Sequence, residues 1–151
     1  YTAWIAQGFV TATDGDVTDY DKVRADLNDL GSQFLIEDLA VDRLFQGAQL
    51  CTQLMQDGFN VVAFGQGFYS MAAPCKRLLE LVTAGELHHG NNPVLSWMAA
   101  SVVMKDDAEG NQKPDRMSSG EKIDGVVAMW MAFERASRNT FEPADVGLVF
   151  G

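Results

Sequence analysis

The chain has 151 residues, 47% of them hydrophobic and 21% charged, with a formal net charge of −10. That length fits one domain with a sizeable core. The composition excludes disorder of the whole chain, the lack of a long uncharged apolar run excludes a membrane-spanning helix, and the acidity excludes a protein that coats nucleic acid by charge alone.

Residues 1–75 hold 10 acidic and 3 basic side chains, and residues 76–151 hold 11 and 8. Contact with a polyanion is therefore expected in the second half. The chain opens at Tyr1, without methionine or a signal-peptide pattern, and is expected to be a piece of a longer protein.

Tyr1 to Val10 mixes aromatic and small residues before the Asp14-Gly15 turn, and is expected to be a short strand or extended arm. Asp19 is placed to cap a helix over residues 21–33, with Val23, Leu27, Leu30 and Phe34 on its apolar face. An apolar stretch from Phe34 to Val41 reads as a strand ending at Asp42. Leu44, Ala48, Cys51 and Met55 then repeat at helical spacing until Gly58, predicting about four turns of helix. Phe59 to Phe64 is a short apolar run, a buried strand. Strand, helix, strand implies two parallel neighbours joined by a right-handed crossover.

Gly65-Gln66-Gly67 interrupts the chain. A helix is expected from about Pro74 to Ala84, with Leu78, Leu79, Leu81 and Val82 inward and Gly85 behind it. His88 to Pro93 reads as a loop, Val94 to Val102 as helix, and residues 102–117 as a hairpin turning at Gly110-Asn111. Ser118-x-x-Glu121 matches a capping box. The helix it opens carries Val126, Val127, Met129, Trp130 and Phe133, a core stripe, and ends near Arg138, leaving 139–151 as a trailing segment. Cys51 and Cys75 form no CxxC or metal pattern and read as reduced, buried thiols.

Two carboxylates suit chemistry. Asp42 ends a parallel strand, the edge at which open α/β sheets build their sites. Asp124 lies in the first turns of the last helix, where exposed N–H groups favour an ionised carboxylate. Converging, they would hold hard cations such as Mg²⁺ or Mn²⁺ through oxygen. Lys113, Arg116 and Lys122 flank the approach to Asp124 and could contact phosphate. Gln66 could shape the rim, Asp115 could be a further acid or a turn residue, and His88 and His89 could act as ligands or merely end a helix.

Several stretches occur in one order: Ala40-Val41-Asp42-Arg43, Phe64-Gly65-Gln66-Gly67-Phe68-Tyr69-Ser70-Met71, His89-Gly90-Asn91-Asn92-Pro93-Val94-Leu95-Ser96-Trp97-Met98, Asn111-Gln112-Lys113-Pro114-Asp115 and Lys122-Ile123-Asp124-Gly125-Val126-Val127-Ala128. Together they resemble the nuclease half of the large terminase subunit of tailed phages, over roughly residues 1–136. The resemblance implies an RNase H-like α/β fold, a mixed sheet flanked by helices and here lacking its first strand or strands, with the domain over 1–138. It implies a metal-dependent endonuclease that cuts concatemeric double-stranded DNA with two Mg²⁺ or Mn²⁺ ions. Asp42 looks like the second acidic ligand and Asp124 like the third.

The resemblance further implies portal and small-subunit partners and a phage or prophage protein working in the host cytoplasm. The family's first ligand aspartate lies well before the position of Asp42 and has no matching motif here, and no GxxxxGK[ST] loop of the ATPase half occurs. The chain alone is therefore expected to cleave poorly. Two alternatives stand beside this reading: another RNase H-like nuclease, such as a resolvase or integrase relative, and a non-catalytic docking module. The Gln-Gly-Phe and Asn-Pro-Val-Leu-x-Trp blocks speak against the first.

Overall fold

A computed structural model describes residues 1–44 and 47–138. In chain order the elements are α1 (Thr2–Ala6), α2 (Tyr20–Gln33), β1 (Leu39–Asp42), α3 (Ala48–Gln56), β2 (Val61–Phe64), α4 (Phe68–Ala84), α5 (Pro93–Ala100), β3 (Met104–Asp106), β4 (Gln112–Pro114) and α6 (Asp124–Arg138). β1 and β2 pair in parallel with Leu39 opposite Val61 and Asp42 opposite Phe64, as the strand–helix–strand pattern predicts. β3 and β4 form the expected antiparallel hairpin. Among the described residues the strands thus make two separate pairs, where a single mixed sheet was expected.

The core lies between β2, α4 and α6. Phe64 from β2 packs with Met71, Cys75 and Leu78 of α4 and with Ile123, Val126, Val127, Trp130 and Met131 at and within α6. Met71, Cys75 and Leu78 follow 4-then-3 spacing, so a single narrow stripe of α4 faces inward. Leu79 and Val82, expected in that stripe, fall outside it and are 59% and 52% exposed. The stripe of Met129, Trp130 and Phe133 does pack on the core. Cys75 is buried and free, and burial pushes its thiol up to about 12. Cys51 is also free but only half-buried.

The first ten residues depart from the expected arm. Thr2–Ala6 is a short helix, held by aromatic edges: Trp4 lies 5.3 Å from the Trp97 ring of α5, and Tyr1 lies 5.8 Å from both. Such a helix owes its existence to tertiary contact, because five residues cannot sustain one alone. α2 begins where expected, with the Asp19 carboxylate accepting from the Lys22 N–H at 2.9 Å. Its apolar face, however, has no fully buried residue, and Phe34 is 63% exposed. Arg24 instead ties it to the end of α3, donating from Nε and Nη2 to the two Asp57 oxygens at 2.6 and 2.5 Å.

Three boundaries also move. β1 starts at Leu39, leaving Phe34 and Leu35 outside it, and α3 runs only from Ala48 to Gln56. α4 begins at Phe68 and carries Pro74 inside, where Pro74 was expected near its start. Ser118 caps nothing: its hydroxyl donates to Asp115, and α6 begins at Asp124. The expected trailing segment, 139–151, lies outside the described residues.

Candidate active site

α6 runs antiparallel to β1 and β2. Near its C-terminal end, Arg135 reaches Asp38, just before β1, at 2.8 Å from Nε and 2.6 Å from Nη2. Toward its start, Val127 shares a recess of about 190 Å³ with Gln66, just beyond β2. The carboxyl edge of the parallel pair and the first turn of α6 therefore lie on one side of the molecule. Asp42 closes that edge of β1, and Asp124 is the first residue of α6.

The local sequence dictates both positions. After Asp42 the chain turns: Asp42 Oδ1 accepts the Leu44 N–H at 3.0 Å, and the Arg43 N–H donates to the Phe64 carbonyl at 2.9 Å. This leaves the second Asp42 oxygen free of that turn. The Arg43 guanidinium lies over Gly65, where a Cβ would come within 3.2 Å of its Cζ. A side chain at position 65 would force it aside.

At Asp124 the helix starts without the capping box, and the Val127 N–H donates to the Ile123 carbonyl. The Asp124 carboxylate is solvent-facing and pairs with Arg116 Nη2 at 3.1 Å. Arg116 stands on a braced turn. Asp115 Oδ1 accepts from the Met117 N–H at 3.0 Å, its Oδ2 accepts from the Ser118 hydroxyl at 2.9 Å, and its own N–H donates to the Val103 carbonyl at 2.8 Å. The Ser118 hydroxyl, with the Met117 and Ser118 N–H groups, holds the Asp115 carboxyl below the usual carboxylate range. Asp115 thus acts as a turn residue.

Lys113 is anchored as well. Its ammonium donates to the Gln66 carbonyl at 3.2 Å and sits 5.4 Å from the centre of the Phe68 ring. Gln66 in turn points its amide at Met131 Sδ, 3.6 Å away, so the Gly-Gln-Gly segment bridges β2, β4 and α6. Lys122 is exposed just ahead of α6. His88 and His89 are exposed in the loop before α5. His89 borders an apolar recess with Leu87, Leu95 and Met129, on the α5 face of α6. Among the described residues no three His, Cys, Asp or Glu side chains gather in a metal-holding group. The Arg116–Asp124 pair and the Lys113 anchor have no signature in the linear sequence. Each joins residues brought together by the hairpin packing on α4 and α6.

The chain matches the family model of the terminase large subunit endonuclease domain over residues 1–140. It belongs to that family. It is 33% identical to the large terminase subunit of Enterobacteria phage HK97 over 144 residues, which is 94% of this chain and 28% of that protein. It is 30% identical to protein YmfN of Escherichia coli K12 over 139 residues, 90% of this chain and 30% of the relative. The crystal structure of the HK97 bacteriophage large terminase matches with a TM-score of 0.81 at 33% identity, over 89% of this chain and 28% of that one. This terminase nuclease domain thus spans less than a third of the length of these relatives, and its mixed α/β architecture is that of the HK97 protein over the matched region. No helix among the described residues is long and apolar enough to cross a membrane.

Proposed function

We propose that this chain is the metal-dependent endonuclease part of a DNA-packaging terminase large subunit, with an RNase H-like fold, acting on concatemeric double-stranded DNA in the host cytoplasm. What supports the reading is the family match, together with one carboxylate that ends β1 and another that opens α6. The donor chemistry fits Mg²⁺ or Mn²⁺, because both groups offer hard oxygens and neither is buried. Bound there, two such ions would activate water and stabilise the leaving oxygen of a phosphodiester.

The protein's own contributions are separable. Asp42 and Asp124 are ligands and take no proton from water. Lys113, Arg116 and Lys122 hold phosphate near them, which offsets the repulsion between DNA and an acidic chain. Two carboxylates are a thin ligand set for two divalent ions, so weak cleavage by this polypeptide alone is part of the reading.

That same thin ligand set favours a second reading, a docking module for the portal or the small subunit. A plasmid-nicking assay in Mn²⁺, paired with calorimetric Mn²⁺ titration, separates the two. The nuclease reading expects slow nicking and weak Mn²⁺ binding, both lost in Asp42→Asn and Asp124→Asn. Robust cutting that survives loss of Asp42 overturns the mechanism. Mn²⁺ binding indifferent to both substitutions leaves docking.

A further inference from the structure

The chain has six arginines, all among the described residues. Arg24, Arg77, Arg116, Arg135 and Arg138 each pair with a carboxylate. Arg43 makes no ion pair among the described residues, in a chain whose net charge is −10. Packing holds it instead. Asp42 and Phe64 are the last paired positions of β1 and β2, so residue 43 faces residue 65 one step further on. The Arg43 N–H donates to the Phe64 carbonyl at 2.9 Å, and the side chain folds back over Gly65. A Cβ on Gly65 would meet Ser70 Oγ at 3.1 Å, Arg43 Cζ at 3.2 Å and Arg43 Nε at 3.4 Å. Glycine at 65 is what lets the guanidinium lie so close to the backbone.

One residue on, the Lys113 ammonium donates to the Gln66 carbonyl, which leaves its charge uncancelled. The Gly65-Gln66 segment thus carries two cations that no carboxylate neutralises among the described residues. It lies at the carboxyl edge of a parallel pair, where open α/β sheets build their sites. A guanidinium seated by packing, exposed and with no carboxylate to take its N–H groups, is preorganised for a phosphate, whose oxygens match its fork.

We infer that Arg43 is a phosphate-binding residue: seated on Gly65, it takes an oxygen of a DNA strand that crosses the carboxyl edge of β1 and β2. This rests on the nuclease reading above. It adds a DNA contact in the first half of the chain, where the charge count gave no reason to expect one, and the contact needs no metal.

The test measures binding of two duplexes of unrelated sequence, in EDTA and in Ca²⁺, over a range of salt. The proteins are the full chain, Arg43→Ala, Arg43→Lys, Gly65→Ala and the double variant of Arg43→Ala with Gly65→Ala. Arg77→Ala removes an exposed arginine paired with Glu80 and controls for the loss of one charge. Arg43→Ala is expected to weaken binding about tenfold on both duplexes, the scale of a charged hydrogen bond that carries no sequence information. It should also lower the slope of log K against log salt by about one, equally in both buffers. Arg43→Lys should restore the slope but not the affinity, since a point charge replaces a seated fork. Gly65→Ala displaces the guanidinium and keeps its charge. It should weaken binding by itself and cost nothing more when added to Arg43→Ala. Melting curves report folding, and Arg43→Ala, which truncates an exposed side chain, carries the test where Gly65→Ala does not fold.

Arg43→Ala that loses no more than Arg77→Ala overturns the role of Arg43 and leaves the nuclease reading standing. Additive losses from Gly65→Ala and Arg43→Ala overturn the seat, and a loss confined to Ca²⁺ overturns the direct contact. A wild-type chain that binds neither duplex in either buffer removes the nuclease reading and this inference together.

Discussion

Replacing Arg135 with alanine should loosen the domain at the seam between β1 and α6. Arg135 meets Asp38 through two nitrogens, at 2.8 and 2.6 Å, and Asn60 Nδ2 donates to the other Asp38 oxygen at 2.6 Å. The Asp38 side chain is only 6% exposed, and that of Arg135 is 24% exposed. Removing one partner of a buried pair costs about 3–5 kcal/mol, because a charge is left behind without compensation, whereas an exposed pair is worth about 0–1 kcal/mol. A pair buried on one side and partly wet on the other belongs between these limits, at about 2–3 kcal/mol. For a domain of this size that corresponds to a fall in Tm on the order of 6–10 °C.

Urea denaturation of wild type, Arg135→Ala, Asp38→Asn and the double variant measures both the loss and the coupling. The double variant should lose less than the sum of the singles, since removing both charges leaves none stranded. A loss below about 0.5 kcal/mol in Arg135→Ala, or strict additivity, would refute the reasoning; a pair that open to water behaves as a surface contact.

Met71, with no exposed surface at the centre of the core, should cost about 2–5 kcal/mol on truncation to alanine, read as a lower urea midpoint with an unchanged slope. The Arg24 guanidinium beside Asp57, helped by Asn28, lowers that carboxyl from an ordinary 3.8 to about 2. A folded-state value below the unfolded one adds stability above the unfolded value, and this is lost as pH falls from about 4 toward 2. Arg24→Ala should therefore flatten the wild-type loss of stability over that acid window, measured by melting at stepped pH. A thiol reagent at pH 8 should modify Cys51 in the native chain and leave Cys75 untouched until unfolding, as intact-mass analysis would record, because burial holds the Cys75 thiol at about 12.

Much of this fold can be read along the chain wherever local and tertiary preferences agree. The Asp19 cap, the βαβ unit from Leu39 to Phe64, the hairpin across Gly110-Asn111 and the apolar stripe of α6 all carry signals within a few residues of themselves. The misses share a cause. α1 forms because Trp4 finds Trp97, some ninety residues away, and no property of Tyr1 to Val10 announces that partner. Ser118 has the chemistry of a cap, but Asp115 takes its hydroxyl first, so the box never closes. Phe34 and Leu35 look like strand, but Phe34 closes α2 and both stand in water ahead of β1.

The site divides in the same way. The places of Asp42 and Asp124 in the fold were legible because a strand end and a helix start have sequence marks. The ion pair that occupies Asp124, and the ring beneath Lys113, depend on how the hairpin leans on two helices, which no spacing rule reports.

The parallel pair has only two strands of four residues each, too little to persist in water by itself. What keeps it in register is the wall behind it, Trp130 and Met131 pressed against Phe64. Damage to that wall would therefore undo the strand pair that carries Asp42, and a loss-of-function screen would not separate it from a change at the proposed ligands unless folding were measured alongside.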